Sequence, residues 1–121
     1  MRVLFISPFP RDAAALQEIL EDGVDHVFNL KQARNRLKVK QFDAILCESV
    51  LEDGVWMDTL LLAGESVPVV VTDQCATERL WAEVLNRGAY DLLVKPFERC
   101  EVRRILQGAT QPPMASLAKA G

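Results

Sequence analysis

Residues Asp43-Ala44-Ile45-Leu46-Cys47-Glu48, "DAILCE", make a short apolar run that ends in a carboxylate. A strand crossing a core places its first polar side chain where it leaves the core, and open α/β sheets build their sites at the carboxyl ends of strands. Glu48 is therefore the first site candidate. Comparable runs lie on both sides: Val3 to Ile6, a short run near Val27 and Phe28, "VPVVVT" from Val67 to Thr72, and "DLLVK" from Asp91 to Lys95. Such nearly continuous apolar strands suit a parallel sheet covered on both faces.

The segments between these runs carry apolar residues at helical spacing. Asp12 is placed to cap a first helix that puts Ala15, Leu16, Ile19 and Leu20 on one face, with Gly23 as its stop. "LKQARNRLKVK" gives a second helix that buries Leu30, Ala33 and Leu37, and "GVWMDTLLLAG" a third. A fourth runs from Thr77 to Arg87 and stops at Gly88; a fifth, "FERCEVRRILQG", turns Val102, Ile105 and Leu106 inward and stops at Gly108. Five β-α units in sequence predict one doubly wound α/β domain over residues 1–107. Residues 108–121, with two prolines and small side chains, read as a tail or linker.

Composition limits the functions open to such a domain. The chain has 121 residues, half of them apolar, which suits one compact unit. A net charge of −3 gives no general attraction to nucleic acid or an anionic membrane, and no apolar run approaches the roughly 18 residues of a membrane span. "MRVLFISPFPRD" lacks the long apolar stretch and cleavage site of a signal peptide. Cys47, Cys75 and Cys100 are odd in number, widely spaced and accompanied by a single histidine, His26. They read as small buried hydrophobes in a reducing cytoplasm rather than as disulfides or metal ligands. Neither a serine-histidine-acid set nor a glycine-rich phosphate loop after the first strand is present, so hydrolase and nucleotide-binding chemistry find no support.

"GAYDLLVKPF", Gly88 to Phe97, resembles the end of the receiver domains of two-component response regulators. An acid ends the third strand at Glu48, a hydroxyl ends the fourth at Thr72, and a lysine ends the fifth at Lys95. In that family these places belong to the phosphoacceptor, the switch threonine and the phosphate-pairing lysine. The resemblance covers Met1 to about Gln107 and implies a flavodoxin-like (βα)5 sheet of strand order 2-1-3-4-5. It also implies phosphoryl transfer to an aspartate, with Mg²⁺ held by two adjacent acids at the end of the first strand.

Several residues depart from that pattern. The acidic-pair positions are Ser7 and Pro8, which offer no carboxylate to a hard divalent cation. Glu48 stands in place of aspartate, and its extra methylene moves the carboxylate out by about 1.5 Å, enough to spoil an in-line attack. The same reach takes its charge toward the position of the phosphoryl oxygens, where Lys95 and Thr72 wait. Glu48 is then either a standing mimic of the phosphorylated state or a strand-end acid neutralised by Lys95. The loop "SVLEDG" lacks the proline usual in receivers and reaches Gly54 early. Leu92 replaces the switch aromatic of the fifth strand, with Tyr90 two residues before it.

Receivers signal through the face formed by the fourth helix, the fifth strand and the fifth helix. On the fourth helix Leu80, Trp81, Val84 and Leu85 make an apolar arc wider than one stripe against a sheet requires. Trp81 and Leu92 are accordingly candidate contacts for a protein partner or a second copy, with Arg99 and Arg103 as polar contacts; a capped core and a solvated charged face are the plainer readings. Lys31, Arg34, Arg36, Lys38 and Lys40 crowd the second helix, but no aromatic interleaves them and a solvated face accounts for them. His26 reads as an ordinary surface or packed histidine. The expectation is an atypical receiver without cofactor or metal, acting as an interaction or dimerising module beside a sensor kinase or an output domain. A working receiver phosphorylated by a histidine kinase is the alternative. A flavin-binding domain would need a hydroxyl- and glycine-rich first loop, which "SPFPRD" is not.

Overall fold

The computed structural model describes residues 1–21 and 23–111. Strands β1 (Val3–Ile6), β2 (Val24–Val27) and β3 (Ala44–Glu48) alternate with helices α1 (Pro10–Leu20) and α2 (Leu30–Val39). After β3 come two short strands, β4 (Val50–Leu51) and β5 (Gly54–Val55), then α3 (Trp56–Ala63), β6 (Val69–Asp73), α4 (Glu78–Asn86), β7 (Asp91–Val94) and α5 (Arg99–Thr110). The main sheet is parallel, in the order β2-β1-β3-β6-β7, which is the flavodoxin-like order 2-1-3-4-5 expected for its five strands.

Strand alternation divides the core in two. Leu4, Ile6, Ile45, Cys47, Val69, Val71 and Leu92 face one way, against Ala33 of α2, Trp56 and Ala63 of α3 and Val84 of α4. Val3, Phe5, Ala44, Leu46, Val70 and Leu93 face the other, against Leu16 and Ile19 of α1 and Val102, Ile105 and Leu106 of α5. With both faces covered, the polar ends of the strands are left at one edge of the core.

Several local expectations are corrected. Helix α1 begins at Pro10, whose fixed φ suits a first helical position, so Asp12 lies inside the first turn and caps nothing. It ends at Leu20, short of Gly23, with Glu21 at φ 69 as its C-cap. Strand β2 stops before Phe28, and β6 starts two residues after Val67 and takes in Asp73. Thr77 caps α4, its side chain accepting from the Leu80 N–H at 3.1 Å.

The stretch after Glu48 is a hairpin before it is a helix. Val50 pairs with Val55 and Leu51 with Gly54, leaving Glu52 and Asp53 as a two-residue turn. Asp53 accepts from the backbone N–H groups of Leu30 and Lys31 at 2.9 and 3.1 Å, supplying partners to two orphan donors at the start of α2. Gly54 permits this docking, since a Cβ there would stand 2.5 Å from Leu30 Cδ1 and 2.6 Å from Asp58 Oδ2.

Helix α5 continues through Gly108 to Thr110. That glycine serves a close approach rather than a stop: a Cβ would lie 2.5 Å from the Tyr90 hydroxyl. The tail expected from 108 onward lies, from 112, outside the described residues. Of the cysteines only Cys47 is buried, on the apolar face of β3, where desolvation pushes its thiol up to about 12; Cys75 and Cys100 are exposed. Among the described residues no helix is long and apolar enough to cross a membrane.

Candidate functional site

The parallel register brings the polar strand ends together. Glu48 closes β3 opposite Thr72 of β6, and Lys95 follows the last residue of β7. Backbone bonds fix these ends: Ser49 N–H donates to the Thr72 carbonyl at 2.9 Å, and Lys95 N–H to the Asp73 carbonyl at 2.9 Å. The Lys95–Pro96 peptide is cis.

Glu48 is buried, 6% exposed, and its two oxygens have separate partners. Thr72 Oγ1 donates to Oε1 at 2.7 Å, and Lys95 Nζ donates to Oε2 at 2.9 Å. Burial pushes the Glu48 carboxyl above the ordinary glutamate value, outweighing the bonds from Lys95 and Thr72 that pull it down. Burial also pulls on Lys95 in the opposite sense, but its bonds to Asp12 and Glu48 prevail and hold the ammonium above the ordinary lysine value. Lys95 is thus held as an ammonium between its two carboxylate partners.

Asp12 is the site residue that sequence reasoning missed. From the first turn of α1 its Oδ2 accepts from Lys95 Nζ at 2.7 Å. The partners are 83 positions apart in the chain, so no local pattern links them. The Lys95 ammonium also lies 4.5 Å from the centroid of the Phe9 ring. Beside it, Ser49 Oγ donates to Asp73 Oδ1, and Asp73 Oδ2 accepts from Cys75 N–H at 2.9 Å. These groups line an open cleft with Arg11, Val50, Gln74 and Pro96.

Ser7 is fully buried beyond the end of β1, and its Oγ accepts from Phe9 N–H at 3.0 Å. Its carbonyl receives the His26 Nε2 hydrogen at 2.8 Å. The imidazole is packed as well, 4.4 Å from the Phe28 ring centroid and 6.0 Å from that of Phe5. Pro8 is partly covered and has no N–H.

The expected contact face is only partly present. Trp81 is 50% exposed and Leu85 beside it on α4 is 41% exposed, whereas Leu80 and Val84 of the same arc turn into the core. Leu92 is 5% exposed, because the inward-facing alternation of β7 covers it, and it reaches only the floor of a shallow groove with Trp81 at its rim. Arg99 and Arg103 are exposed and have partners within the chain. They lie four apart on α5 and point at α1, donating to the Ile19 carbonyl at 3.4 and 2.9 Å, where cations suit the negative end of a helix.

Comparison with known proteins gives one curated relative and many structures. The probable transcriptional regulatory protein y4xI of Sinorhizobium fredii is 34% identical over 107 residues, 80% of this chain and 47% of that protein. The chain therefore spans about half of that relative's length. No model of a known protein family matches. The receiver domain of a sensor histidine kinase from Pseudomonas aeruginosa PAO1, which holds a magnesium ion in its active-site cleft, superposes with TM-score 0.76 at 26% identity, covering 90% of this chain and 96% of its own. The beryllofluoride-activated NtrC4 receiver dimer reaches TM-score 0.80 at 23% identity over 90% and 95%. The five-stranded sheet and its covering helices thus have the fold of response-regulator receiver domains.

Proposed function

We propose that this chain is the receiver domain of a two-component response regulator, and that it works without phosphoryl transfer, as a protein-interaction or dimerisation module. The observation that carries this reading is the state of Glu48, whose two oxygens are taken by Thr72 and Lys95. The resemblance assigns those two residues to an acyl phosphate; here a carboxylate one methylene longer than aspartate engages both with charge-assisted bonds.

The metal half of the chemistry does not fit the residues present. Magnesium needs several hard oxygen ligands in near-octahedral order. Ser7 offers only a neutral hydroxyl whose oxygen already accepts from Phe9 N–H, and Pro8 has no polar side chain, while Glu48 and Asp12 both face the Lys95 ammonium. Among the described residues no group of three or more His, Cys, Asp or Glu side chains is arranged to hold a metal ion. No step of the proposed function passes through one.

Signalling then rests on a fixed surface. The exposed Trp81 and Leu85 of α4, beside β7 and α5, are the proposed contact for a protein partner or a second copy. A regulator of this kind would meet its sensor or output partners in the cytoplasm, and the curated relative's name suggests a transcriptional output.

The test is incubation with acetyl phosphate and Mg²⁺, read by intact mass. The mass is expected to stay unchanged. An adduct of one phosphoryl group on Glu48 would overturn the proposal in favour of a working receiver.

A further inference from the structure

An ammonium has three N–H donors, and at Lys95 two of them go to carboxylates, Asp12 Oδ2 at 2.7 Å and Glu48 Oε2 at 2.9 Å, with the Phe9 ring beside it. Asp12 belongs to α1 and Glu48 to β3, and the side chains of Lys95, Asp12 and Glu48 are 12%, 23% and 8% exposed. Two anions thus share one cation in a largely covered place. We propose that Asp12 is a positioning residue of this site: it divides the Lys95 ammonium with Glu48, ties the first turn of α1 to the strand ends, and makes the Thr72–Glu48 contact responsive to a proton.

The step is a proton transfer from solvent to a Glu48 oxygen. It brings the Asp12–Lys95–Glu48 group from a net charge of minus one to zero and leaves the ammonium intact. Lys95 is then released toward Asp12, and the Thr72 hydroxyl faces a carboxylic acid instead of an anion. The desolvation that raises the Glu48 carboxyl works in the same direction, as does the nearby charge of Asp12. The other groups around Glu48 are accounted for: Arg11 and Asp73 line the cleft, Asp73 is engaged by Ser49 and Cys75, and His26 reaches only the Ser7 carbonyl behind it. This inference rests on the reading of Glu48 as an unphosphorylated group, which the acetyl phosphate experiment tests separately.

The experiment is NMR titration of the whole chain, following the Glu48 side-chain carboxyl carbon and the Thr72 amide between pH 3.5 and 8, for wild type, Asp12→Asn, Asp12→Glu, Glu48→Gln and His26→Gln. In wild type both signals should move together, with a midpoint above that of an exposed glutamate. Asp12→Asn gives Lys95 wholly to Glu48 and should lower that midpoint by about 0.5 to 1 pH unit. Asp12→Glu and His26→Gln should keep it near wild type, and Glu48→Gln should abolish the Thr72 transition. A midpoint unmoved in Asp12→Asn, or a Thr72 transition that survives Glu48→Gln, overturns the proposal. Asp12→Ala provides the same charge removal should the asparagine variant fold poorly.

Discussion

The carboxyl edge of the sheet and the outer surface of α4 solve opposite problems. At the strand ends every buried polar side-chain atom among the described residues has a hydrogen-bond partner, and Glu48, Thr72, Lys95 and Asp12 are engaged with one another. On α4 an indole and a leucine stand half in water with little to cover them. The strand ends are closed by internal pairing, and the outer surface of α4 is left open. On the function proposed above, a reaction and a recognition surface are separable because the two depend on different residues, carried on different elements.

The closed region breaks most readily at its one shared cation. Lys95→Met would leave two carboxylates facing each other in partial burial, and we expect a loss of about 2 to 3 kcal/mol near pH 7, below the cost of breaking a fully buried pair because Asp12 is partly solvated. The loss should depend on pH in a defined sense. Since the folded state raises the Glu48 carboxyl above its unfolded value, its proton favours the fold, and that contribution disappears as pH rises through the folded value. The deficit of Lys95→Met should therefore be full near neutral pH and shrink on acidification. Urea denaturation of wild type and variant at several pH values measures it; a deficit independent of pH would mean that Glu48 is not the group left uncompensated.

The open region is tested by association. If α4 is a contact, Trp81→Ala should weaken self-association or partner binding at least tenfold, in line with the cost of about 2 kcal/mol or more for truncating an aromatic anchor. Arg36→Ala on α2 should change it little, because Arg36 pairs with Asp25 at 3.3 Å on another surface. Analytical ultracentrifugation of the three proteins reads the dimer version. A wild type that remains monomeric at high concentration removes it and leaves only a different protein as the partner.

How much of this contrast was legible in the sequence follows from the distance over which each feature is encoded. Strands such as "AILCE" and "VVVTD" declare themselves because burial on both faces demands unbroken apolar runs, and the polar residue ending each run marks the site edge without any knowledge of its neighbours. The contacts of Glu48 with Thr72 and Lys95 follow once the strand order is fixed. Asp12 is different: its role is set by α1 crossing back over the sheet to a lysine 83 residues away, and locally it looks like a helix cap. The Asp53 turn was equally hidden, because its partners are backbone groups of α2. For Arg99 and Arg103 the helical phase was readable, but which neighbour that phase would meet was not.

Gly108 is the misreading with the smallest energetic consequence, and it refines the picture of the open side. Glycine in a helix normally costs about 0.5 to 1 kcal/mol relative to alanine, so Gly108→Ala should stabilise α5 unless something occupies the space. The Tyr90 hydroxyl occupies it, 2.5 Å from where the new methyl would stand. Tyr90 is 43% exposed, so its ring can swing outward where the packed groups around Glu48 have no such freedom. In wild type the propensity gain and the displacement of the ring should nearly cancel. Tyr90→Phe removes the obstructing oxygen, and in that background Gly108→Ala should recover about 0.5 to 1 kcal/mol. Thermal and denaturant unfolding of the four proteins completes the cycle. Equal effects of Gly108→Ala in both backgrounds would show that the hydroxyl is not what the glycine accommodates; a gain confined to the Tyr90→Phe background would show that the glycine is kept for the tyrosine and not to end the helix.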